Sequence, residues 1–500
     1  MKTLIILFAV FMIVVSLIIG WFAQRKAQGV QAFFGGTALF GPVVIGFSTM
    51  AAVASAFAVV GVPGLIYASG NTMGLWMMGS GAFCMGYIIL GKKMRAMAEL
   101  GPVATLGDVI DLRFGKNRYL KLVTSLTLFI GCIAYLASQI KGVSEMFAHL
   151  MGWSPMTIGL IVFGSLVVYM VISGEVGGLL TQAFQGMIMV VAAVILLFSL
   201  FWMTGGMSEI TATVSQAGVV SGGGYTKNMS PNLLNAWGTL PGAVVLSFMF
   251  IPFLGVLGQP SVLTRMYSLK NPMEIPKLAM WGAGSHFCVA AFCTFTGFGA
   301  LYIVAKGLIP PLSGPDRAVF AFADYIGPHA QFFVYAATLA AAMSSASMFL
   351  SLASSIVARD IPSALGYNFS PGRQIRISRA LMCLIGFLSI YMGINSSQLV
   401  AILGTFGYGT FMAATFPVFI IGLLWDRCSS EAALSGAVTA LAMTCVCLVL
   451  NQMKFSWPGG IPWYTVAVSA SIAVTIFVSL FTSGHSGPNL DKKIRCVMDL

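Results

Sequence analysis

Apolar residues along this chain come in runs too long for the helices of a soluble core, with the charged residues gathered between them. Thirteen such runs can be read: Leu4–Phe22, Val43–Ile66, Met73–Leu90, Leu122–Phe147, Met156–Ile172, Leu179–Trp202, Ala243–Leu257, Leu278–Val304, Phe332–Ile356, Ala380–Ile394, Leu399–Trp425, Ala432–Leu450 and Val466–Phe481. The hydrocarbon core of a bilayer takes about 20 apolar residues per helix. The pattern therefore predicts an all-α polytopic membrane protein with about 13 transmembrane helices. The opening run exceeds a usual signal-peptide core and no A-x-A-like cleavage site follows it, so it is expected to stay as a helix.

Two runs carry strong breakers. The second contains Gly61-Val62-Pro63-Gly64, and the seventh reads Ile251-Pro252-Phe253-Leu254-Gly255-Val256-Leu257-Gly258-Gln259-Pro260. Proline removes a backbone donor and clashes with the preceding turn. Backbone groups freed at membrane depth need a partner, and an ion or polar solute can serve. Interrupted helices in matching places of two halves point to a carrier's binding site, although proline kinks are also ordinary features of membrane helices. The ninth run adds hydroxyls: Ser344, Ser347, Ser351 and Ser355 recur at helical spacing and share one face. Ala341, Ser344 and Ser345 stand at i, i+3 and i+4, again on a common face. Such serines either bond their own helix carbonyls or act as hard, neutral ligands for a small cation. Opposite two broken helices, the second reading is favoured.

Composition then narrows the class. Charged residues make up 8% of the 500 and hydrophobic ones 58%, against about 25% charged in a soluble domain. The net charge of +12 raises the question of a polyanion, but topology answers it. With the N-terminus outside and the C-terminus cytoplasmic, twenty of the twenty-six Lys and Arg residues fall in inner loops, as the positive-inside rule requires. A lipid bilayer and a small solute are the expected partners, with no nucleic acid. The nine cysteines show no metal-cage spacing and read as small hydrophobes. No G-x-x-x-x-G-K-[ST] phosphate loop is present, which argues against direct use of ATP, and nothing suggests an enzyme. All fourteen acidic residues, Glu175 among them, fall in loops or near the ends of runs. His286 is the one titratable group in mid-run, and it reads as a hydrogen-bonded packing residue. Proton carriers commonly need a titratable group along the path, so coupling to sodium through neutral oxygens is favoured.

At these residues the chain resembles the solute:sodium symporter family. The resemblance rests on Gly61-Val62-Pro63-Gly64 with Tyr67 and Gly70, and on Gly258-Gln259-Pro260 with Arg265. It rests also on Ala340-Ala341-Ala342-Met343-Ser344-Ser345 leading to Ser354-Ser355 and Arg359-Asp360-Ile361, and on Pro417 to Gly422 with Trp425 and Arg427. It implies a LeuT-like core of two inverted five-helix repeats. By position, residues 1–30 would be an extra helix, 31–240 and 241–430 the repeats, and 431–500 two further helices with a short tail. It also implies a sodium site: carbonyls of Ala51, Ala54 and Ala341, with the hydroxyls of Ser344 and Ser345. Where some relatives carry Asp in a T-D-x-x-Q pattern, this chain has Thr181-Gln182-Ala183-Phe184-Gln185, so a single coupled sodium is expected.

The solute pocket is expected beside the first break, lined by Val53, Ser55, Phe57 and Ala58, with Tyr135 and Gln139, and closed by Phe253 and Val256. So apolar a set disfavours sugars, whose hydroxyls would each need a buried partner. Ser55 through Ala68 looks most like monocarboxylate and acetate carriers of the family, with proline and pantothenate as the rival solutes. Lys141 is a possible counter-charge, though a lysine snorkelling to the outer interface is the simpler reading. A bacterial inner membrane is the expected location.

Overall fold

The computed structural model describes residues 2–26, 29–35, 38–250, 254–396, 398–453, 455, 457–484 and 486–500. In chain order its principal helices are α1 (Lys2–Lys26), α2 (Pro42–Val53), α3 (Phe57–Ser69), α4 (Gly79–Gly86), α5 (Leu106–Phe114), α6 (Arg118–Met151), α7 (Gly164–Thr204) and α8 (Gly242–Phe250). They continue as α9 (Pro260–Met266), α10 (Ile275–Ala305), α11 (Pro328–Ser355), α12 (Pro371–Asn395), α13 (Val400–Thr415), α14 (Ser430–Gln452) and α15 (Trp463–Phe481). Local chemistry sets many of their ends. Proline opens α2, α9, α11 and α12, where its missing N–H would have no helical partner anyway. Thr105 and Asp108 form a capping box on α5, and Asn117 caps α6 through the Leu120 amide.

Packing sorts the helices by depth. The most apolar stretch of the span containing α11 is 94% buried by protein, against 28% for α1. Helix α11 is thus the central post, enclosed by α2, α6, α7 and α12, while α1 lies outside against α7. Leu4, Leu7, Phe11 and Trp202 are exposed, as side chains facing lipid would be.

Among the described residues nine helices are long and apolar enough to cross a membrane, or ten if the pair α2 and α3, bent by 52°, counts as one. Not all of the expected thirteen runs enter that number, and the reasons are local. Met156–Ile172 and Leu179–Trp202 are two helices joined without a loop inside the stretch Pro155–Thr204, parted by a break at Gly174 with φ of 60° and ψ of −160°. Met73–Leu90 is divided into a 3-10 turn, α4 and a π-turn. Ala243–Leu257 passes through 251–253, outside the described residues. Between these helices Val219–Gly222 and Tyr225–Asn228 make an antiparallel hairpin. Gly223 and Gly224 supply its two positive φ angles, 59° and 82°, the pair that a tight two-residue hairpin turn demands.

The face bearing the basic loops is clamped by charge. Arg359 pairs with Asp108 at 3.0 Å and Lys121 with Asp111 at 2.7 Å. Arg113 on α5 donates to the carbonyls of Gly422 and Cys428. Burial lowers the pKa of its guanidinium from the usual value, with Cys428 and Asp426 opposing.

Candidate functional site

The chain leaves helical geometry between α2 and α3, and its hydrogen bonds show what the break releases. Ala54, at φ −78° and ψ 70°, still donates to Met50 O at 2.7 Å. The next amides do not continue the ladder. Ser55 N turns back to Val53 O at 2.9 Å, and Ala56 N is taken by Gln139 Oε1 at 2.8 Å. Ala51 O and Ala52 O therefore lose the amides that an unbroken helix would give them. Ala58 N goes to Ser55 O rather than to Ala54 O. Three carbonyls at the break, those of Ala51, Ala52 and Ala54, are thus released from the helix at buried positions.

Helix α11 answers two of them. Ser344 Oγ donates to Ala51 O at 2.8 Å and Ser345 Oγ to Ala52 O at 2.8 Å, with Ser345 also 3.4 Å from Ala51 O. Ser344 Oγ lies 3.0 Å from Ala341 O on its own helix. The expected ligand residues Ala51, Ala341, Ser344 and Ser345 thus converge, and Ala54 stands at the same break. The rest of the serine face behaves otherwise. Ser347, Ser354 and Ser355 bond carbonyls three residues back in α11, the alternative open to any helical serine. Only the pair facing the break reaches across to it. Carbonyl and hydroxyl oxygens are hard, uncharged donors that can replace the water shell of a small cation, so the donor set fits sodium.

Below the break Ser55 Oγ meets Tyr135 Oη at 2.8 Å, and Tyr135 Oη is 3.4 Å from Val53 O. Gln139 is fixed by Ser138 Oγ at 2.8 Å and Tyr135 O at 3.2 Å. Phe57 packs edge-on against Trp76, ring centres 5.2 Å apart, and lies 6.3 Å from Tyr408. Tyr408 also meets Tyr135 at 5.6 Å. Val53, Ser55, Phe57, Ala58, Tyr135 and Gln139 are all fully buried. Gln139→Leu would leave the Ala56 amide buried without an acceptor, at a cost of about 1–3 kcal/mol. A lower thermal midpoint of the detergent-purified variant checks this; an unchanged midpoint would mean that Gln139 does not hold the break.

The second interruption falls at Gln259, extended at φ −69° and ψ 128° between the turn Val256–Gly258 and α9. Thr415 Oγ1 donates to Gly258 O at 2.6 Å, and Tyr408 Oη to Gln259 Oε1 at 3.1 Å. Through Tyr408 the two breaks share one aromatic wall. Val256 is buried one turn before Gln259, on a turn that packs against α4 and α13. Phe253 lies outside the described residues. Lys141 Nζ donates to Ser396 O at 2.8 Å, at the C-terminal end of α12 where a cation is favoured. His286 is a buried ring bonded to Ser80 at 3.0 Å and packed on Phe83.

Trp76, Tyr408 and Gln259 were not among the residues picked out for the solute. Gln259 sits in a motif the sequence did flag, Gly-Gln-Pro, but its role needed Tyr408 beside it. Trp76 and Tyr408 carry no local signal and are assembled by packing alone. Glu175 departs more sharply from expectation. It does lie where two apolar runs meet, yet it is buried against Arg265 on α9, 3.5 Å away.

An all-α membrane protein in which two interrupted helices meet a hydroxyl-bearing central helix has the architecture of a cation-coupled solute carrier. The profile of the sodium:solute symporter family matches residues 33–440, and the chain belongs to that family. Among similar proteins is the high-affinity proline transporter PutP of Bacillus subtilis (strain 168), 23% identical over 94% of this chain and 96% of its own length. Another is the sodium/pantothenate symporter of Escherichia coli (strain K12), 25% identical over 86% of this chain and 87% of its own. A solved Na+-coupled sialic acid symporter shares the fold, with a TM-score of 0.74 at 19% identity, covering 97% of this chain and 99% of that one. The chain is therefore a sodium:solute symporter of the LeuT-like fold, and sodium is its coupling ion.

Proposed function

We propose that sodium is carried between α2 and α11, held by the carbonyls of Ala51, Ala54 and Ala341 and the hydroxyls of Ser344 and Ser345. The solute is a small organic carboxylate, first of all a short monocarboxylate such as acetate, propionate, lactate or pyruvate. One observation carries the solute reading. Around Phe57 two buried donors, Trp76 Nε1 and Gln259 Nε2, have no hydrogen-bond partner. Unpaired buried donors are costly, and a carboxylate supplies acceptors that would satisfy both. Val53, Phe57 and Ala58 offer a short tail apolar contacts. A second reading, proline, is favoured by the relatives named for it; it too presents a carboxylate.

Counterflow in proteoliposomes tests this, with acetate, propionate, lactate, pyruvate, proline and pantothenate offered with and without sodium. Sodium-dependent competition by the short monocarboxylates is expected, with acetamide inert. Saturable exchange of proline alone would install the second reading, and equal competition by acetamide would refute carboxylate recognition altogether.

In this reading residues 31–240 and 241–430 form the inverted repeats that rock between two access states. The N-terminus faces outward and the C-terminus the cytoplasm of a bacterial plasma membrane. Gln182, uncharged where the resemblance implies Asp in some members, leaves one sodium per cycle. Initial uptake against sodium concentration should give a Hill coefficient near one; a value near two would contradict the single ion.

A further inference from the structure

Helix α12 begins with three arginines on one face. Arg373, Arg376 and Arg379 stand at i, i+3 and i+6 in its first turns. Arg373 and Arg376 are exposed, and Arg379 is half-buried. Two of them rest on aromatic rings. Arg373 Cζ is 4.4 Å from the ring centre of Phe369, and Arg379 Cζ is 5.6 Å from that of Phe33 in the short helix Val30–Phe34. Arg379 Nε is buried without a hydrogen-bond partner. Among the described residues no carboxylate pairs with any of the three. Cations in the first turns of a helix also oppose its dipole, so this end of α12 carries positive charge that the protein leaves uncompensated. The exposed face then turns apolar. From Arg376 it continues at spacings of three and four through Ala380, Leu384, Phe387 and Tyr391.

We propose that this face binds an acidic phospholipid of the leaflet on the basic-loop side, its phosphate held among Arg373, Arg376 and Arg379 and an acyl chain lying along Leu384 and Phe387. Basic clusters at the membrane surface attract anionic headgroups, and guanidinium forks match phosphate oxygens in pairs. A phosphate here gives Arg379 Nε the acceptor that the protein does not supply. The length of the face favours a lipid over a free anion. Phe387 stands eleven residues beyond Arg376, about 16 Å along the axis, which is close to the depth of one leaflet of the hydrocarbon core. The site also reaches the charge clamp. Gln374, between the arginines, donates Nε2 to Phe369 O at 2.8 Å and accepts from Arg359 Nη1 at 3.0 Å. Arg359 Nη2 in turn binds Asp108. The bound lipid therefore steadies the end of α12 to which the clamp is tied. Neither the sodium nor the solute assignment bears on this site.

The test is native mass spectrometry of the detergent-purified chain offered phosphatidylglycerol and phosphatidylcholine in equal amounts. The wild type should retain phosphatidylglycerol in preference, and the double variant Arg373→Gln, Arg376→Gln should bind it roughly 10- to 30-fold more weakly. Lys492→Gln with Lys493→Gln, an exposed basic pair of the tail, should leave that affinity within twofold. Phosphatidylglycerol should also raise the thermal midpoint of the wild type by several degrees and that of the arginine variant not at all. Equal losses in the two double variants would mean a diffuse positive face and overturn the proposal. An equal rise in midpoint with inorganic phosphate alone would give the site to a free anion and overturn the lipid assignment. Should the double arginine variant fail to fold, Arg376→Gln is measured by itself, with a loss of roughly three- to fivefold expected and no loss fatal.

Discussion

Ser345→Ala is expected to raise the sodium concentration for half-maximal uptake by roughly 10- to 150-fold. The hydroxyl makes the contact to Ala52 O and lies within reach of Ala51 O, so it stands where a cation at the break would be met. A hydrogen bond or ligand contact to a charged partner contributes about 1.5–3 kcal/mol, and 1.4 kcal/mol is tenfold in affinity. The methyl left by the substitution cannot coordinate, and it strands the Ala52 carbonyl, which the helix break has already deprived of its amide. Ser344→Ala should behave alike, since Ser344 bonds Ala51 O at 2.8 Å. By contrast Ser354→Ala and Ser355→Ala, whose hydroxyls donate to their own helix and never reach the break, Ser354 also accepting from Ser378 Oγ at 2.9 Å, should leave the sodium dependence within twofold. Uptake titrated with sodium in each variant checks all four. A flat response across the set would remove the distinction between serines that cross to the break and serines that do not.

Gly186→Val is expected to fail both as a fold and as a carrier. Helix α7 crosses α2 here so closely that a Cβ at 186 would lie 2.5 Å from Phe47 O and 3.2 Å from Ala51 Cβ. The obstacle is backbone, which cannot rotate away. Overpacking of this kind costs about 1–3 kcal/mol and sometimes more. The strain would also be released in a particular direction, pushing α2 and its Ala51 carbonyl with respect to Ser344. Any protein that still folds should therefore show a thermal midpoint lower by several degrees and a weakened sodium response together. Gly186→Ala should show the same pair of losses, smaller. Wild-type stability and sodium KM in Gly186→Val would mean that the close contact between α7 and α2 is not what sets the site.

How much of this was legible in the sequence follows from how local each feature is. Ala341, Ser344 and Ser345 lie within five residues on one helix, so their common face follows from the helical period alone. The Gly-Val-Pro-Gly segment marks the right run but not the right place, since residues 57–69 are helical straight through Pro63 and the chain breaks at Ala54; the break at Gln259 is announced by its own glycine and proline. What the period could not say is which serines turn outward; that required α2 to be in place. The internal breaks of the helices are less legible, because that geometry is not written in hydropathy. Gly174 parts two helices between the two apolar segments that suggested separate spans, and the run beginning at Met73 is interrupted by 3-10 and π turns. Trp76, Tyr408 and Gln259 come from three distant segments and meet only through tertiary packing. Glu175 was visible as an acid at the end of an apolar run, where linear position suggests solvent. Its burial depends on Arg265, ninety residues later in the chain.

The most direct test of the central claim is binding of radioactive sodium to the purified chain, without any solute or flux. One saturable sodium per protein of main affinity is predicted in the wild type, lost at the same concentrations in Ser345→Ala and in Ser344→Ala, and retained in Ser354→Ala. Undiminished binding in the Ser344→Ala, Ser345→Ala double variant would contradict the placement of sodium between α2 and α11.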